Sequence, residues 1–219
     1  MYLILLGPPG TGKGTQAKLL AERRRLVHIA SGDLFREAVQ QGSDLGQRVK
    51  AYLDRGELVP DELTIAMLEE RVRQPEAQQG AIFDGYPRTL QQAQALDTML
   101  AHLGTAADAA LLITASDEEL IRRLSGRWLC GACGEIFHER SRPPKLAGRC
   151  DRCGGALGQR DDDKPDVVRR RLQGMRPPEA LLDYYRQQGK LLEIDGEQEV
   201  EAVTRNLLDA IERVASAVR

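Results

Sequence analysis

The chain begins MYLILLGPPGTGKGTQAKLL, and the stretch from Gly7 to Thr15 limits what the rest can fold into. Tyr2–Leu6 is a short apolar run that reads as a buried strand, and Lys13–Arg24 reads as a helix. Between them stand glycines, prolines and one threonine, residues that punctuate rather than build regular structure. A glycine-rich turn from a strand into a helix lets backbone N–H groups close around an anion. The helix N-terminus adds a partial positive charge there. Gly7-x-x-x-x-Gly12-Lys13 has the spacing that places a lysine on the outer phosphates of a Mg²⁺-bound nucleoside triphosphate. The Ser or Thr that usually follows the lysine is replaced by Gly14, with Thr15 next.

Beyond this turn, apolar runs alternate with helical periodicity. Val27–Ile29, Ala81–Phe83, Ala109–Thr114 and Leu191–Ile194 read as strands, the second ending at Asp84. Helices are expected over Ser31–Gln41, Ser43–Arg55, Pro60–Arg73, Thr89–Ala101 and Gln198–Val218, and again from near Asp162. Ser116-Asp-Glu-Glu119 has the form of a capping box opening another helix. Such alternation predicts an α/β fold, a parallel sheet flanked by helices on both faces. From about Leu129 to Arg160 the periodicity stops. All four cysteines fall there, as CGAC (Cys130, Cys133) and CDRC (Cys150, Cys153). Two such pairs at this separation predict a closed four-thiolate zinc site, structural rather than catalytic.

The composition of the 219 residues suits one compact protein with inserted subdomains. A net charge of −2 and 4% aromatics argue against a nucleic-acid partner. Nothing approaches the apolar length of a membrane span or the pattern of a signal segment, so a soluble, cytoplasmic protein is expected. Asp84, ending a strand beside the phosphate-binding strand, suits an acid that holds Mg²⁺ through water.

The GKGT turn, ASGDLFREAV (Ala30–Val39), FDGYPRTLQQA (Phe83–Ala93) and RDDD…VRRRL (Arg160–Leu172) together closely resemble adenylate kinase, in its longer form with a metal-bearing lid. The resemblance runs over nearly the whole chain. It implies a P-loop nucleoside monophosphate kinase fold with a single core over 1–219, an acceptor-binding insert at 30–59 and a zinc lid at 126–163. The implied reaction is Mg²⁺-dependent transfer between ATP and AMP, giving two ADP, in a monomer.

Such a reaction has its own requirements. The acceptor phosphate is itself the nucleophile and is mostly dianionic at neutral pH, its second pKa being about 6. No general base is needed, but positive charge must gather two anions in line. Candidate cations are Lys13, Arg36, Arg88, Arg123, Arg127, Arg160 and Arg171. Arg123 and Arg127, four apart, read as one face of a helix. The resemblance places Arg36, Arg88, Arg160 and Arg171 near AMP, and Arg123 and Arg127 near the donor phosphates. It puts Gly10, Thr11, Gly12, Lys13, Gly14 and Thr15 around ATP. Ile136 and Phe137 would lie against its adenosine, and Gln198 near its adenine. For AMP it selects Gln92 as reader of the base. Ser31, Glu57, Leu58 and Val59 line that pocket, and Gly85, Tyr86, Pro87 and Arg88 form the neighbouring turn. Ser31 stands where Thr is more common in the family, and Phe137 where Tyr is common. Rival readings are a kinase for another monophosphate, a nucleotide-dependent switch, and a purely structural zinc protein. Pro177-Pro178 should break the helix that follows Arg171.

Overall fold

The computed structural model describes residues 1–160 and 163–217. Strand β1 (Tyr2–Leu6) is buried along its length. It sits in the middle of a sheet of order β2-β3-β1-β4-β8, every neighbouring pair parallel. The other members are β2 (Val27–Ala30), β3 (Ala81–Asp84), β4 (Ala109–Thr114) and β8 (Leu191–Asp195). A strand buried on both faces shows no alternation in its sequence, yet its side chains still alternate in space. Tyr2, Ile4 and Leu6 pack into a core with Leu68, Leu96, Leu100 and Leu181. Leu3 and Leu5 point the other way, towards Ala17, Leu20, Leu207 and Ile211. Helices α4 (Asp61–Val72), α6 (Leu90–His102) and α9 (Glu179–Gln187) thus cover one face, and α1 (Lys13–Arg24) and α10 (Val200–Ala217) the other. This is the expected α/β architecture. The chain leaves β1 towards β2 on one side, and β3 towards β4 on the other, so a crevice opens at the strands' C-terminal ends.

Two segments depart from this core. Helices α2 (Ser31–Gln40) and α3 (Asp44–Arg55) pack on each other and enclose a small cluster of Phe35, Val49 and Val59. Their contact is close because residue 46 is glycine; a Cβ there would lie 2.0 Å from the Ala38 carbonyl oxygen. The aperiodic region holds three short antiparallel strands in the order β6-β5-β7, namely β5 (Arg127–Cys130), β6 (Ile136–His138) and β7 (Leu157–Gly158). A further short helix, α5 (Pro75–Gln78), is not evident in the sequence.

Some expectations fail. Helix α7 (Asp117–Ser125) stops before Arg127, so Arg123 and Arg127 do not share a helix face. Gly126 ends the helix, and a side chain there would meet the His138 ring at 2.5 Å, so the turn into the β5–β6 pair prevails over helical continuation. The capping box at Ser116 does not form. The Ser116 N–H instead donates to Glu197 Oε1 at 2.6 Å, while Glu119 accepts from Arg122 and Arg123. The two guanidiniums draw the Glu119 carboxylate away, and a second carboxylate, Glu197, takes its place at the Ser116 N–H. The proline pair behaves as expected: α8 (Pro165–Gly174) ends before it, and α9 starts after Pro178. Asp162 and Val218, marked as helix limits, lie outside the described residues. No helix among the described residues is long and apolar enough to cross a membrane.

Gly46→Ala should force α2 and α3 apart. Overpacking of this kind costs about 1–3 kcal/mol, so the urea midpoint should fall with the slope unchanged. An unchanged midpoint would mean the two helices are not this close in solution.

Candidate active site

The phosphate-binding turn is built by backbone constraint. Gly7 has φ 137° and lies so close to β4 that a Cβ would sit 2.3 Å from the Ile113 carbonyl oxygen. Gly12 caps α1 in a left-handed conformation. Lys13 is buried and curls back over the turn, its Nζ donating to the Gly7 and Pro8 carbonyls, each at 2.7 Å. Thr11 Oγ1 donates to the Pro8 carbonyl at 3.1 Å. Burial pushes the Lys13 ammonium down to about 7; Asp84 opposes that shift, whereas Arg88, Arg171 and Arg127 add to it.

Asp84 ends β3 directly opposite Leu5 of β1. Burial alone would raise its carboxyl. The hydrogen bond from His28 Nε2 at 3.3 Å and the charge of Lys13 outweigh burial and hold it below the usual range. The place of Asp84 explains the departure at residue 14, where a Cβ would lie 3.3 Å from Asp84 Oδ2. A side chain at 14 would crowd the carboxylate that the site keeps ionised. Thr15 follows, half-buried, in the first turn of α1.

The Gly85–Arg88 turn follows β3. Gly85 has φ 74°, and its carbonyl accepts from Ser31 Oγ at 2.8 Å and Arg88 Nε at 3.0 Å. Pro87 and Arg88 share a cleft with Gly7, Lys13, Leu58, Gly85 and Arg176. Tyr86 does not; it is a core residue whose hydroxyl donates to the Gln92 backbone carbonyl at 3.0 Å. Gln92 is buried at the start of α6. Its Oε1 accepts from the Arg88 backbone N–H at 2.7 Å, and its Nε2 donates to Asp61 Oδ1 at 2.7 Å.

Arg127 on β5 and Arg171 on α8 meet at one carboxylate. Asp163, 1% exposed, accepts from Arg127 Nε at 2.7 Å and Nη2 at 2.5 Å, and from Arg171 Nη1 at 3.0 Å. Arg123 on α7 is held by Glu119 at 2.5 Å and by the Gly196 carbonyl at 2.8 Å. A Cβ at Gly196 would lie 3.3 Å from the Thr11 carbonyl oxygen, so Arg123 is fastened to a loop beside the phosphate turn.

Other candidates lie further out. Arg36 pairs with Asp33 on α2. Arg160 is half-buried, with its carbonyl accepting from the Asp163 N–H. Glu57 pairs with Arg55, and Val59 is buried in the insert's cluster. Gln198 is exposed, donating to Asp195 at 3.3 Å and accepting from Asn206 at 3.1 Å. Ile136 is half-buried, but Phe137 is buried with Cys130 and Cys150 beneath the Arg142 guanidinium. Nothing in the sequence marks Asp61 or Arg176 as part of the site, and Glu119 stands out only as the acid of a capping box; Asp163 falls in the RDDD run, where its charge is the one available signal.

The four cysteine sulfurs lie within 4.8 Å of one another, with Cys130–Cys153 at 3.5 Å and Cys133–Cys150 at 3.6 Å. A disulfide needs about 2.05 Å between sulfurs. Four thiolates about 2.3 Å from a shared ion would stand about 3.8 Å apart, so the donor set fits zinc.

The adenylate kinase family model matches residues 5–190. The chain belongs to the adenylate kinase family. Its curated relatives include an adenylate kinase of Archaeoglobus fulgidus, 46% identical over 99% of this chain and 100% of the relative. One of Salinispora tropica is 50% identical over 96% and 98%. One of Listeria monocytogenes is 46% identical over 93% and 95%. Members of the family are nucleotide-binding phosphotransferases, and the fold described above is the family's P-loop fold.

The Lys13 shift has a measurable consequence. The unfolded chain holds this proton up to the usual value of 10.5, while the ligand-free folded site releases it near 7. Folding stability should therefore rise with pH through that window. A bound polyphosphate favours the ammonium, so nucleotide binding at pH 8 should take up a proton. Calorimetry in buffers of differing ionisation enthalpy should show that uptake, and Lys13→Met should abolish it. A binding enthalpy independent of buffer would show that Lys13 is already charged.

Proposed function

We propose that the chain catalyses reversible Mg²⁺-dependent phosphoryl transfer from ATP to AMP, giving two ADP. The observation that carries this reading is one cleft that joins the phosphate turn and Lys13 to the Gly85–Arg88 acceptor turn. Arg127 and Arg171 are near enough to affect the same lysine's charge. In this reading an oxygen of the AMP phosphate attacks the γ-phosphorus of ATP as the bond to the β–γ bridging oxygen breaks. The new bond makes one ADP, and the departing diphosphate is the other. No proton must be removed from the nucleophile.

Gly10 to Thr15 cradle the donor phosphates, and Lys13 follows the transferring group. Arg123 and Arg127 neutralise the donor side. Arg88, Arg36, Arg160 and Arg171 hold the acceptor phosphate, and Gln92 reads its base beside Ser31 and Glu57–Val59. Asp84, kept ionised, suits a Mg²⁺ held through water, which would neutralise charge between the outer phosphates. Cys130, Cys133, Cys150 and Cys153 would hold a structural zinc. Residues 30–59 and 126–163 act as two inserts that close over the substrates. Two contacts support this: Lys18 Nζ of α1 reaches the Gly134 carbonyl in the ribbon at 3.3 Å, and Arg170 Nε of α8 reaches the Arg55 carbonyl at 3.1 Å. Closure expels the water that would otherwise accept the phosphoryl group. All these groups belong to one chain, which suits a monomer, and the net charge of −2 gives no attraction for nucleic acid. Function in the cytoplasm belongs to the same proposal.

A product assay with ATP and each of AMP, CMP, UMP and GMP tests the reaction. AMP should be converted far faster than the others; equal turnover of a second monophosphate would overturn the assignment. Arg88→Ala should lower kcat/KM for every acceptor alike, by about a hundredfold or more, since it removes a half-buried charge from its anion.

Stripping the metal, or Cys130→Ser with Cys133→Ser, should lower the thermal midpoint markedly. The ribbon has too small an apolar cluster to stand alone. Activity should persist at low temperature, because no zinc ligand touches the reacting phosphates. Unmoved stability after confirmed metal loss would remove the structural role.

A further inference from the structure

The Gln92 side chain raises a question that its burial makes sharp. An amide is nearly symmetric in shape but not in hydrogen bonding: one end accepts and the other donates. To read a base it must present those ends in a fixed order. Two partners set that order. The Arg88 backbone N–H, which can only donate, lies 2.7 Å from Oε1. Asp61 Oδ1, which can only accept when ionised, lies 2.7 Å from Nε2. Turning the amide over would set N–H against N–H and oxygen against carboxylate, replacing two hydrogen bonds with two repulsive contacts. Asp61 is itself fixed: its other oxygen accepts from Thr89 Oγ1 at 2.6 Å, and Thr89 Oγ1 accepts from the Gln92 N–H at 3.1 Å. The first residue of α4 thus closes a ring with the cap and first turn of α6.

By valence, Gln92 keeps one N–H and one lone pair beyond these partners. Adenine offers N1 as acceptor and the 6-amino group as donor, which match a donor and an acceptor held in that order. Hypoxanthine and guanine offer the reverse at the same positions, an N1–H donor and an O6 acceptor. We infer that Asp61 is a specificity-determining positioning residue, which locks the polarity of the Gln92 amide so that the acceptor site takes 6-amino purines and rejects 6-oxo purines. The inference rests on the reading of Gln92 as the base contact. Asp61 need not touch the nucleotide. It acts by making the wrong amide orientation costly, so a 6-oxo purine meets unpaired buried groups rather than a compliant amide.

The test compares kcat/KM for AMP and IMP. In the unaltered protein the ratio should strongly favour AMP. Asp61→Ala and Asp61→Leu remove the acceptor and should each lower that ratio by about tenfold or more, the scale of one hydrogen bond to a charged group. The change should appear mainly as a higher KM for AMP and a lower one for IMP. Asp61→Asn keeps an oxygen acceptor of similar reach and should restore most of the ratio. If Asp61 only starts α4, its loss would lower stability and depress both acceptors alike; an unchanged ratio in Asp61→Ala would overturn the inference. Gln92→Ala separates the two levels. If it collapses the ratio while Asp61→Ala does not, only the positioning role falls. If it leaves the ratio intact, the base-reading assignment falls and the inference with it.

Discussion

A site that must hold two polyanions has to concentrate cations, and concentrated cations repel one another. Lys13 shows the strain: burial and the charges of Arg88, Arg171 and Arg127 all lower its affinity for a proton, with Asp84 opposing them. The fold answers with carboxylates placed among the cations. Asp163 holds Arg127 and Arg171 on one buried group, and Glu119 holds Arg123. Such pairs add little net stability, but losing one partner leaves a buried charge without its counterion. Protein carboxylates therefore hold Arg123, Arg127 and Arg171 in place among the other cations.

That arrangement depends on the sheet. Parallel strands send their C-terminal ends to one edge, and β1 and β3 lie side by side there. The Gly7–Gly12 turn follows β1, and Asp84 and the Gly85–Arg88 turn follow β3, so neighbouring strands deliver both turns to one crevice. Helix α8 joins the two segments outside the core to it. Its Arg171 shares Asp163 with Arg127 of the ribbon, and a Cβ at Gly56, at the end of α3, would lie 3.0 Å from the Arg171 stem. The ribbon, α8 and the α2–α3 pair consequently meet in series at Arg171.

The sequence was most legible where chemistry is local. The phosphate turn, the Asp84 position, the paired cysteines and the proline break each depend on a few adjacent residues, and the structure keeps all of them. It was least legible where a side chain's partner lies far along the chain. Asp61 looks like an ordinary acidic residue in the first turn of a helix until Thr89 and Gln92 are seen beside it. Glu119 looks like half of a capping box until Arg122 and Arg123 compete for it. The spacing of Arg123 and Arg127 suggests a helical face because spacing carries no information about Gly126, which caps the helix where a side chain would strike the His138 ring. Tyr86 belongs to the acceptor motif in sequence, yet its ring supports the turn from within the core.

Phe137 shows how register alone decides which residues of the ribbon face the cleft. In the β5–β6 pair, Trp128 stands opposite Phe137, while Arg127 pairs with His138 and Leu129 with Ile136. Paired residues share a face and adjacent residues alternate. Phe137 therefore lies on the Cys130 side, where it is buried with the cysteines. The opposite face carries Arg127, which reaches Asp163, and with it Leu129 and Ile136. Phe137 could reach the Arg127 face only by leaving the small cluster it shares with Cys130 and Cys150, so Ile136, and not the Phe137 ring, stands beside Arg127 and Leu129.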